Sequence, residues 1–382
     1  MIGEKFSSHA PFIIEKSCCK QRKNLHKVCC DDKIQVYFCF KEDWIMPLLI
    51  SNAILHSIGS REETTLFSNA ELDMDSEICF EFVSKHVRRL LHNPGAKEAT
   101  FSEGSAVYDK IKQYQKGELR FKEMSIQLCR SLAKIMWENE DIPSADFLIT
   151  AFSNRNQDYL AMIKVNYGEC FTHHITETEN GAEAQIIKNT MVLPVTASKV
   201  DEACLIPYDP MVLHILEKPH MVGNEETLYF SKIFLECETE ISKKEAAEKI
   251  MEIAEEVNTK HFSRNLEMEA RLKCALIEET IDDGEEETLV LDNVAQRVFE
   301  ENEEARSEFI GMAQQSGLPP ILKLDKPFVQ REFKIQRFKA DNGIELKCPS
   351  ELFQNPDAIS ITNHSDGTVT IILKNLRRVD LI

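Results

Sequence analysis

The 382-residue sequence lacks the features that mark membrane-spanning, secreted or fibrous proteins. It has no run of about 18 apolar residues, which a membrane-spanning helix needs. Its first thirty residues are charged throughout and lack the apolar stretch of a secretory signal. Glycine and proline number only 13 each, which excludes collagen-like and linker-dominated chains. We therefore expect a globular cytoplasmic protein whose 12 cysteines are free thiols.

Signatures of common catalytic and cofactor sites are also missing. There is no G-x-x-x-x-G-K-[ST] loop, no G-x-G-x-x-G after a strand, no G-x-S-x-G, no H-E-x-x-H and no C-x-x-C. The adjacent cysteine pairs near the start, Cys18-Cys19 and Cys29-Cys30, lack the spacing typical of structural zinc ligands. We therefore predict a non-enzyme without cofactor or metal. Nuclease-like chemistry on scattered carboxylates is the alternative.

One short segment carries nucleophilic and basic side chains close together in sequence. Cys170, His173 and His174 lie in "YGECFTHHITE", and a thiol beside an imidazole can form a reactive ion pair. On a strand, Cys170 and His174 share one face about 13 Å apart, and His173 lies on the other face. No third group nearby would orient them. We therefore expect ordinary strand residues here and no catalytic site.

Positive charge is scarce over the whole chain. Lys and Arg number 45 against 64 Asp and Glu, a net charge of −19, which rules out a binder with basic charge over its whole surface. Residues 239–310 hold 21 acidic and 9 basic side chains. Residues 321–382 hold 10 basic and 8 acidic ones. Any contact with a polyanion must therefore come from local basic patches.

The hydrophobic pattern predicts an α+β fold with a mostly antiparallel sheet and N-terminal helices. Residues 48–58 are typical of a strand or a short buried element. Helices are expected from a cap at Asp73 or Asp75 to the stop signal Asn93-Pro94-Gly95, over 105–115 and over 122–137. Ile78, Phe82, His86 and Leu90 are expected to share the buried face of the first helix. We expect further strands over 146–152, 158–166, 184–194, 202–208, 212–218 and 227–237.

The chain divides into four segments that differ in composition, charge and predicted secondary structure. Residues 1–45 are expected to be an extension that is either disordered or absent from the natural protein. Residues 46–237 are predicted to form the α+β domain, and 238–318 an acidic helical domain that begins with the capping box Ser242-Lys-Lys-Glu245. Further helices are predicted near 265–281 and 292–315, with the acidic run 278–288 as a solvated linker. Residues 319–382 are expected to be a small β-rich domain closed by a hairpin around Ser365-Asp366-Gly367.

Two basic clusters are candidates for phosphate contacts. The first, at the end of the first helix, comprises His86, Arg88, Arg89 and also His92, although cations at a helix C-terminus are favourable without any ligand. The second comprises Arg331, Lys334, Arg337 and Lys339 beside Phe333 and Phe338. On one strand, Arg331, Arg337 and Lys339 would share a face and could follow a phosphate backbone. An ordinary polar sheet face is the alternative.

The order of segments resembles the nucleoid-associated protein family of the NdpA (YejK) type. The segments that carry the resemblance are "AILHSI", "FSNAELDMDSEICFEFVSKHVRRLL", "SLAKIMWENEDIPSADFLITAF", "DYLAMIKVNYGECFTHHI", "YFSKIFLEC" and "FKADNGIELKCPSELF…ITNHSDGTVTIILKNL". The similarity runs from about Met46 to near the end of the chain.

This resemblance implies a bacterial cytoplasmic protein that sits on the nucleoid and binds DNA. The resemblance supplies no catalytic residues. It implies a link to type II topoisomerases, and it leaves homo-oligomerisation open. We expect DNA binding largely without sequence specificity. The alternative is an adaptor whose acidic helices contact DNA-handling enzymes.

Overall fold

The structure, a computed structural model, describes residues 25–30, 34–39, 48–178, 181–194, 200–282, 287–364 and 366–378. It combines a large antiparallel sheet with two groups of helices, which confirms the α+β prediction. Within the described residues, no helix is both long and apolar enough to cross a membrane. Most of residues 1–45 lie outside the described part, and the paired strands at 25–30 and 34–39 are what is described there.

The helices fall into an early group around the sheet and a later group that forms its own layer. In chain order they are α1 (Glu77–Leu91), α2 (Ala106–Gln115), α3 (Phe121–Glu138), α4 (Lys243–Phe262), α5 (Leu266–Glu278), α6 (Leu291–Val298), α7 (Glu303–Gln315) and α8 (Lys326–Phe333). A π-helical turn at Phe230–Leu235 joins the two groups.

The strands form the central sheet and several separate hairpins. In chain order they are β1 (Leu25–Cys30), β2 (Ile34–Cys39), β3 (Leu49–Ile58), β4 (Lys97–Phe101), β5 (Ala145–Asn154), β6 (Gln157–Asn166), β7 (Gly168–Thr178), β8 (Gly181–Val192), β9 (Glu202–Pro207), β10 (Leu213–Leu216), β11 (His220–Val222), β12 (Glu225–Thr227), β13 (Cys237–Thr239), β14 (Thr280–Asp282), β15 (Glu287–Val290), β16 (Ile321–Leu322), β17 (Ile335–Lys339), β18 (Glu345–Pro349), β19 (Ile359–Asn363) and β20 (Val369–Leu373).

The central sheet has seven strands in the order β13-β4-β10-β9-β6-β5-β3, and every pairing is antiparallel. Strands β5, β6 and β9 are buried on both faces, which explains their nearly continuous apolar sequences. The polar loop predicted between β5 and β6 is a two-residue turn at Arg155-Asn156. Both residues have positive φ, as in the type I′ turns that commonly close two-residue hairpins.

Helices cover the two faces of the central sheet with separate cores. On one face α2, α3 and the π-helical turn pack Ile111, Leu128 and Phe234 against Phe147 and neighbouring side chains. On the opposite face α1 packs Val83 and Val87 against Leu148 and its neighbours. Side chains at consecutive strand positions point to opposite faces, so Phe147 and Leu148 belong to different cores. The sheet is therefore the middle layer between α2–α3 and α1.

Helices α4 to α8 form a second body with its own apolar core. Ile250, Leu276, Val294 and Phe309 lie within it, and α8 contributes Phe328. Helix α8 therefore packs into the helical core, although it lies among the residues assigned by sequence to the β-rich C-terminal part. The predicted hairpin near the end is present as β19–β20.

Two segments predicted as strand or linker have a different structure. Residues 227–237 were predicted as a strand, but Phe230–Leu235 is a π-helical turn, because Tyr229, Phe230, Phe234 and Leu235 are all buried at helix-like spacing. The acidic run 278–288 was predicted as a linker. Its described residues instead continue α5 and then form the paired strands β14 and β15.

Helix ends also differ from prediction. Helix α1 begins after Ser76, not at Asp73 or Asp75, and Ile78 is 80% exposed because the buried face turns through Val83 and Val87. The helix predicted over 292–315 is two helices, α6 and α7.

The predicted capping box is half present. Ser242 Oγ accepts a hydrogen bond from the backbone N–H of Glu245. The Glu245 carboxylate turns instead to Lys97 Nζ at 3.7 Å and Lys249 Nζ at 3.6 Å.

Candidate nucleic-acid interface

His86 of the first predicted basic cluster belongs to the core and is not a surface cation. Its side chain is buried, its ring lies 4.4 Å from the ring of Phe82, and its Nδ1 is 2.8 Å from the Phe82 carbonyl oxygen. Burial lowers the pKa of His86, so the ring is neutral near pH 7. The inclusion of His86 among DNA-contacting residues is therefore wrong.

Arg89 is the exposed cation at the end of α1, and Arg88 is half-buried. The Nε of Arg88 is buried without a hydrogen-bond partner among the described atoms. His92, which follows α1, is exposed. This end of the helix therefore presents one fully exposed permanent charge and part of a second.

Arg331 does not share a strand with Arg337 and Lys339, contrary to the prediction. Asp325 caps α8 by accepting the N–H of Phe328, and a proline in the first turn favours the helix that carries Arg331. The guanidinium of Arg331 lies 5.7 Å from the ring centre of Phe328. Lys334 is exposed directly after α8. The predicted four-residue strip is therefore divided between a helix and a strand.

Arg337 and Lys339 do share one face of the β17–β18 hairpin. Arg337 lies directly opposite Lys347, and Lys339 lies opposite Glu345 with their charged atoms 3.4 Å apart. All four side chains are exposed. Two cations facing each other across strands destabilise a hairpin unless an anion lies between them. We name Arg337, Lys339 and Lys347 the hairpin basic face.

One member of each predicted basic cluster lines a cavity of about 820 Å³ between the sheet and the helical body. His92, after α1, and Arg331, on α8, both line it. Two of its lysines are neutralised there: Lys323 lies 3.4 Å from Glu98, and Lys243 pairs with Asp325. The cavity therefore has mixed charge and no strong preference for an anion.

A third basic surface, which the sequence reasoning missed, lies on α2 and α3. Residues 106–134 contain seven basic and three acidic side chains, a local net charge of +4 in a chain of net −19. The seven basic residues are Lys110, Lys112, Lys116, Arg120, Lys122, Arg130 and Lys134, and all are exposed or half-buried. No described carboxylate lies within the 4.0 Å salt-bridge distance of any of them. We name these seven residues the α2–α3 basic surface.

The clearest part of this surface is a stripe along α3. Lys122, Arg130 and Lys134 follow a four-residue spacing, with Ile126 between the first two, so they lie on one side of the helix. The stripe is about 18 Å long at 1.5 Å per residue. The guanidinium of Arg130 lies 5.2 Å from the ring centre of Phe67. The signal in the sequence was this spacing together with the local charge balance.

The α2–α3 basic surface and the end of α1 lie on opposite sides of the central sheet, because α2–α3 and α1 pack on opposite faces. The two surfaces therefore cannot contact the same short stretch of duplex together.

Acidic side chains form a comparable stripe on α4. Glu248, Glu252 and Glu256 are exposed at four-residue spacing, and the stripe is about 12 Å long. Lys244 Nζ lies 3.6 Å from Glu248. Glu252 and Glu256 have no cation within salt-bridge distance among the described residues.

The predicted thiol and histidine cluster lies on β7, and Cys170, His173 and His174 are all exposed. Among the described residues, no group of three or more His, Cys, Asp or Glu side chains is placed to hold a metal ion.

Comparison with known proteins links most of the chain to one family. The family model described as nucleoid-associated protein YejK matches residues 54–379. No curated protein matches the chain significantly.

Proposed function

The chain belongs to the nucleoid-associated protein YejK family, and from this we propose that it is a non-enzymatic cytoplasmic protein that binds DNA largely without sequence specificity. The observation that carries the proposal is the α2–α3 basic surface: seven cations without carboxylate partners in a strongly acidic chain. Side chains that are not neutralised within the protein are free to contact phosphates, which position a protein on DNA without reading its sequence.

The overall charge of −19 does not prevent such contacts. At physiological salt, charges are screened beyond about 8 Å, so a phosphate at the helix surface is influenced mainly by the nearest cations. The α3 stripe, about 18 Å long, is much longer than this screening length. A local basic surface can therefore bind DNA while the distant acidic helices contribute little repulsion.

The test is the salt dependence of binding to a random-sequence duplex, measured by fluorescence anisotropy. Each phosphate contact contributes about −0.9 to the slope of log affinity against log salt. The triple variant Lys122→Gln, Arg130→Gln, Lys134→Gln should make the slope less negative by about 2.7. Between 50 and 200 mM salt, these three contacts correspond to a change in affinity of about 40-fold.

The hairpin basic face supplies a matched control. The triple variant Arg337→Gln, Lys339→Gln, Lys347→Gln changes the net charge by the same three units on a different surface. We expect its slope to stay near that of the parent protein. If the control alone changes the slope, the α2–α3 surface is not the binding site. If the parent protein fails to bind duplex DNA at 50 mM salt, direct DNA binding is refuted.

The acidic stripe on α4 favours a second function, an adaptor that contacts basic DNA-handling enzymes such as type II topoisomerases. The variant Glu248→Gln, Glu252→Gln, Glu256→Gln should then lose binding to a purified type II topoisomerase in the absence of DNA. The variant Glu300→Gln, Glu301→Gln, Glu303→Gln removes the same charge from other exposed positions and should keep it. Equal binding by both variants would contradict the adaptor role of α4.

A further inference from the structure

The sheet body, which is the central sheet with α1–α3, and the helical body of α4–α8 have separate apolar cores. The buried clusters of the sheet body draw on residues between Leu48 and Cys237, and that of the helical body on residues between Ala246 and Phe333. Among the described residues, no buried apolar cluster contains side chains of both bodies. Two bodies without a shared apolar core can move relative to each other.

The chain passes from the sheet body to the helical body once, at Glu240–Ile241. The backbone N–H of Glu240 donates to the carbonyl oxygen of Glu98 at 2.7 Å, so Glu240 still belongs to the sheet. The side chain of Ile241 already packs against the helical core, and α4 begins two residues later. Beside this link, the N–H of Lys244 donates to the carbonyl oxygen of Pro94 at 3.1 Å. The link between the two bodies is therefore short enough to act as a hinge.

Away from the hinge, the cavity of about 820 Å³ separates the two bodies, and ion pairs join them across it. Lys323 Nζ lies 3.4 Å from Glu98, and Lys97 Nζ lies 3.7 Å from Glu245. Partly exposed ion pairs of this kind contribute little to stability, because water competes for both charges. The closed arrangement is therefore held by weak contacts.

His214 on β10 lines this cavity and has no hydrogen-bond partner among the described residues. It lies directly opposite Glu98 on β4 and Leu205 on β9, so the three side chains share the face of the sheet that lines the cavity. Burial lowers the pKa of His214; the Glu98 carboxylate opposes this shift, and the Lys243 ammonium adds to it. The imidazole is therefore neutral near pH 7 while the cleft is closed.

The other charged and titratable groups around the cavity differ in how opening would affect them. The pair between Lys243 and Asp325 lies within the helical body and moves with it, whereas the pair between Lys323 and Glu98 spans the cleft. Burial raises the pKa of Tyr159, so this side chain stays neutral below pH 7.5. Three further groups are exposed to water already in the closed cleft, namely His92, Glu240 and Arg331.

Opening of the cleft would expose the ring of His214 to water, in which its charged form is stable. Between pH 6.5, the ordinary pKa of histidine, and the lower pKa in the closed cleft, the open state binds a proton that the closed state does not bind. The protonated ring would also compete with Lys323 for the carboxylate of Glu98. We propose that the two bodies are hinged at Glu240–Ile241 and that protonation of His214 opens the cleft between them, independently of whether the protein binds DNA.

The proton linkage sets an upper limit on the effect. If only the open state takes up the proton, with the ordinary histidine pKa of 6.5, the ratio of open to closed molecules rises about tenfold from pH 7.5 to pH 5.5. Any protonation of the closed state makes the rise smaller.

The test measures the distance between the two bodies in the full chain by pulsed electron paramagnetic resonance. Spin labels are attached to p-acetylphenylalanine in place of Arg89 on α1 and Gln330 on α8, which are both exposed, so the native cysteines stay unchanged. As the pH falls from 7.5 to 5.5, a population with a longer distance should grow by up to about tenfold relative to the short one. It should disappear when the pH is returned to 7.5.

Two histidine variants separate His214 from the other groups. His214→Gln keeps a polar side chain that does not titrate, so its distance distribution should no longer depend on pH. His92→Gln is the matched control, because His92 lines the same cavity but is exposed, and it should keep the pH dependence of the parent protein. Lys323→Gln removes the ion pair across the cleft and should enlarge the long-distance population already at pH 7.5.

Three outcomes would overturn the proposal. The first is a parent protein in which the ratio of the two populations changes by less than about twofold between pH 7.5 and 5.5. The second is a His214→Gln variant that keeps the pH dependence, or a His92→Gln variant that loses it equally. The third is a longer distance that appears only together with a loss of far-UV circular dichroism, because this would show unfolding and not rotation about a hinge.

Discussion

Mild acidification should destabilise the sheet body through buried His56 on β3. The side chain has no exposed area, its Nδ1 accepts the backbone N–H of Ser68 at 3.0 Å, and its Nε2 is buried without a partner among the described atoms. Burial lowers the pKa of His56 to about 4, from 6.5 in an unfolded chain. Between these two values the unfolded state binds a proton that the folded state does not, so stability falls as the pH falls.

The size of the effect follows from the two pKa values. At pH 7.5 the imidazole is almost fully neutral in both states, and the effect is negligible. At pH 5.5 the unfolded imidazole is about nine-tenths protonated, and the loss is about 1.3 kcal/mol. At pH 4 the loss would be about 3 kcal/mol. That pH lies beyond the isoelectric point of about 5.1, where the protein would be poorly soluble, so the measurement stops at pH 5.5.

The assay is urea unfolding at pH 7.5, 6.5 and 5.5, followed by the fluorescence of Trp137. This residue lies on α3 in the same body, and its indole N–H donates to Thr65 Oγ1 at 3.1 Å. A Trp44→Phe background leaves Trp137 as the single tryptophan. His56→Asn keeps an acceptor for the Ser68 N–H but does not titrate.

The difference in unfolding free energy between parent and His56→Asn should therefore shrink by about 1.3 kcal/mol from pH 7.5 to 5.5. His92→Asn, which changes an exposed histidine, should follow the parent protein. His86 and His214, whose pKa values burial also lowers, act in the same direction but cancel in the comparison. Parallel pH profiles for the parent and His56→Asn would refute the reasoning.

Two further substitutions test the packing of each body. Lys164→Met should cost about 3–5 kcal/mol in the Trp137 transition, because it removes the buried cation 3.2 Å from the fully buried carboxylate of Glu202 and leaves that carboxylate the contact with His220 Nε2 at 2.7 Å. A loss under 1 kcal/mol would contradict this. Ser242→Ala should lower the unfolding free energy of the helical body by about 1 kcal/mol, because the backbone N–H of Glu245 loses the hydroxyl that caps it. Far-UV circular dichroism follows this unfolding. An unchanged unfolding midpoint would show that the cap does not stabilise the helical body.

The elements that local sequence specifies were predictable. The β5–β6 hairpin was found because a short polar segment separates two apolar runs, and the Ser365-Asp366-Gly367 segment indicated β19–β20 in the same way. These hairpins depend on turn-forming residues and on the alternation of apolar and polar residues along a strand. Both signals are visible within about ten residues of sequence.

The wrong secondary-structure predictions concern segments whose conformation depends on tertiary packing. Residues 230–235 are rich in aromatic and β-branched side chains that favour strands, yet burial against α2 and α3 makes them a π-helical turn. Arg331 was placed on a strand because Phe333 and Ile335 alternate with polar residues. The cap at Asp325 followed by proline at 327 was a helix signal, and it was overlooked.

The candidate site could be predicted only in part, because clusters were sought as short runs of basic residues. The α2–α3 basic surface has no such run, since the residues between Lys122, Arg130 and Lys134 are mixed and include the buried Met124, Leu128 and Leu132. The stripe on α3 is visible in the sequence only when basic residues are compared at intervals of four positions. Whether a cation has a carboxylate partner, by contrast, depends on the folded arrangement and cannot be counted along the chain.

The β7–β8 hairpin is inserted in the chain between two neighbouring strands of the central sheet, β6 and β9. Strands β6 and β9 pair directly, up to Lys164 opposite Glu202, so the chain leaves and re-enters the sheet one strand apart, about 4.8 Å. A tight turn of a few residues could close that gap in place of the whole β7–β8 hairpin. Evolution can therefore lengthen, trim or replace this appendage while the seven-stranded ladder keeps its register.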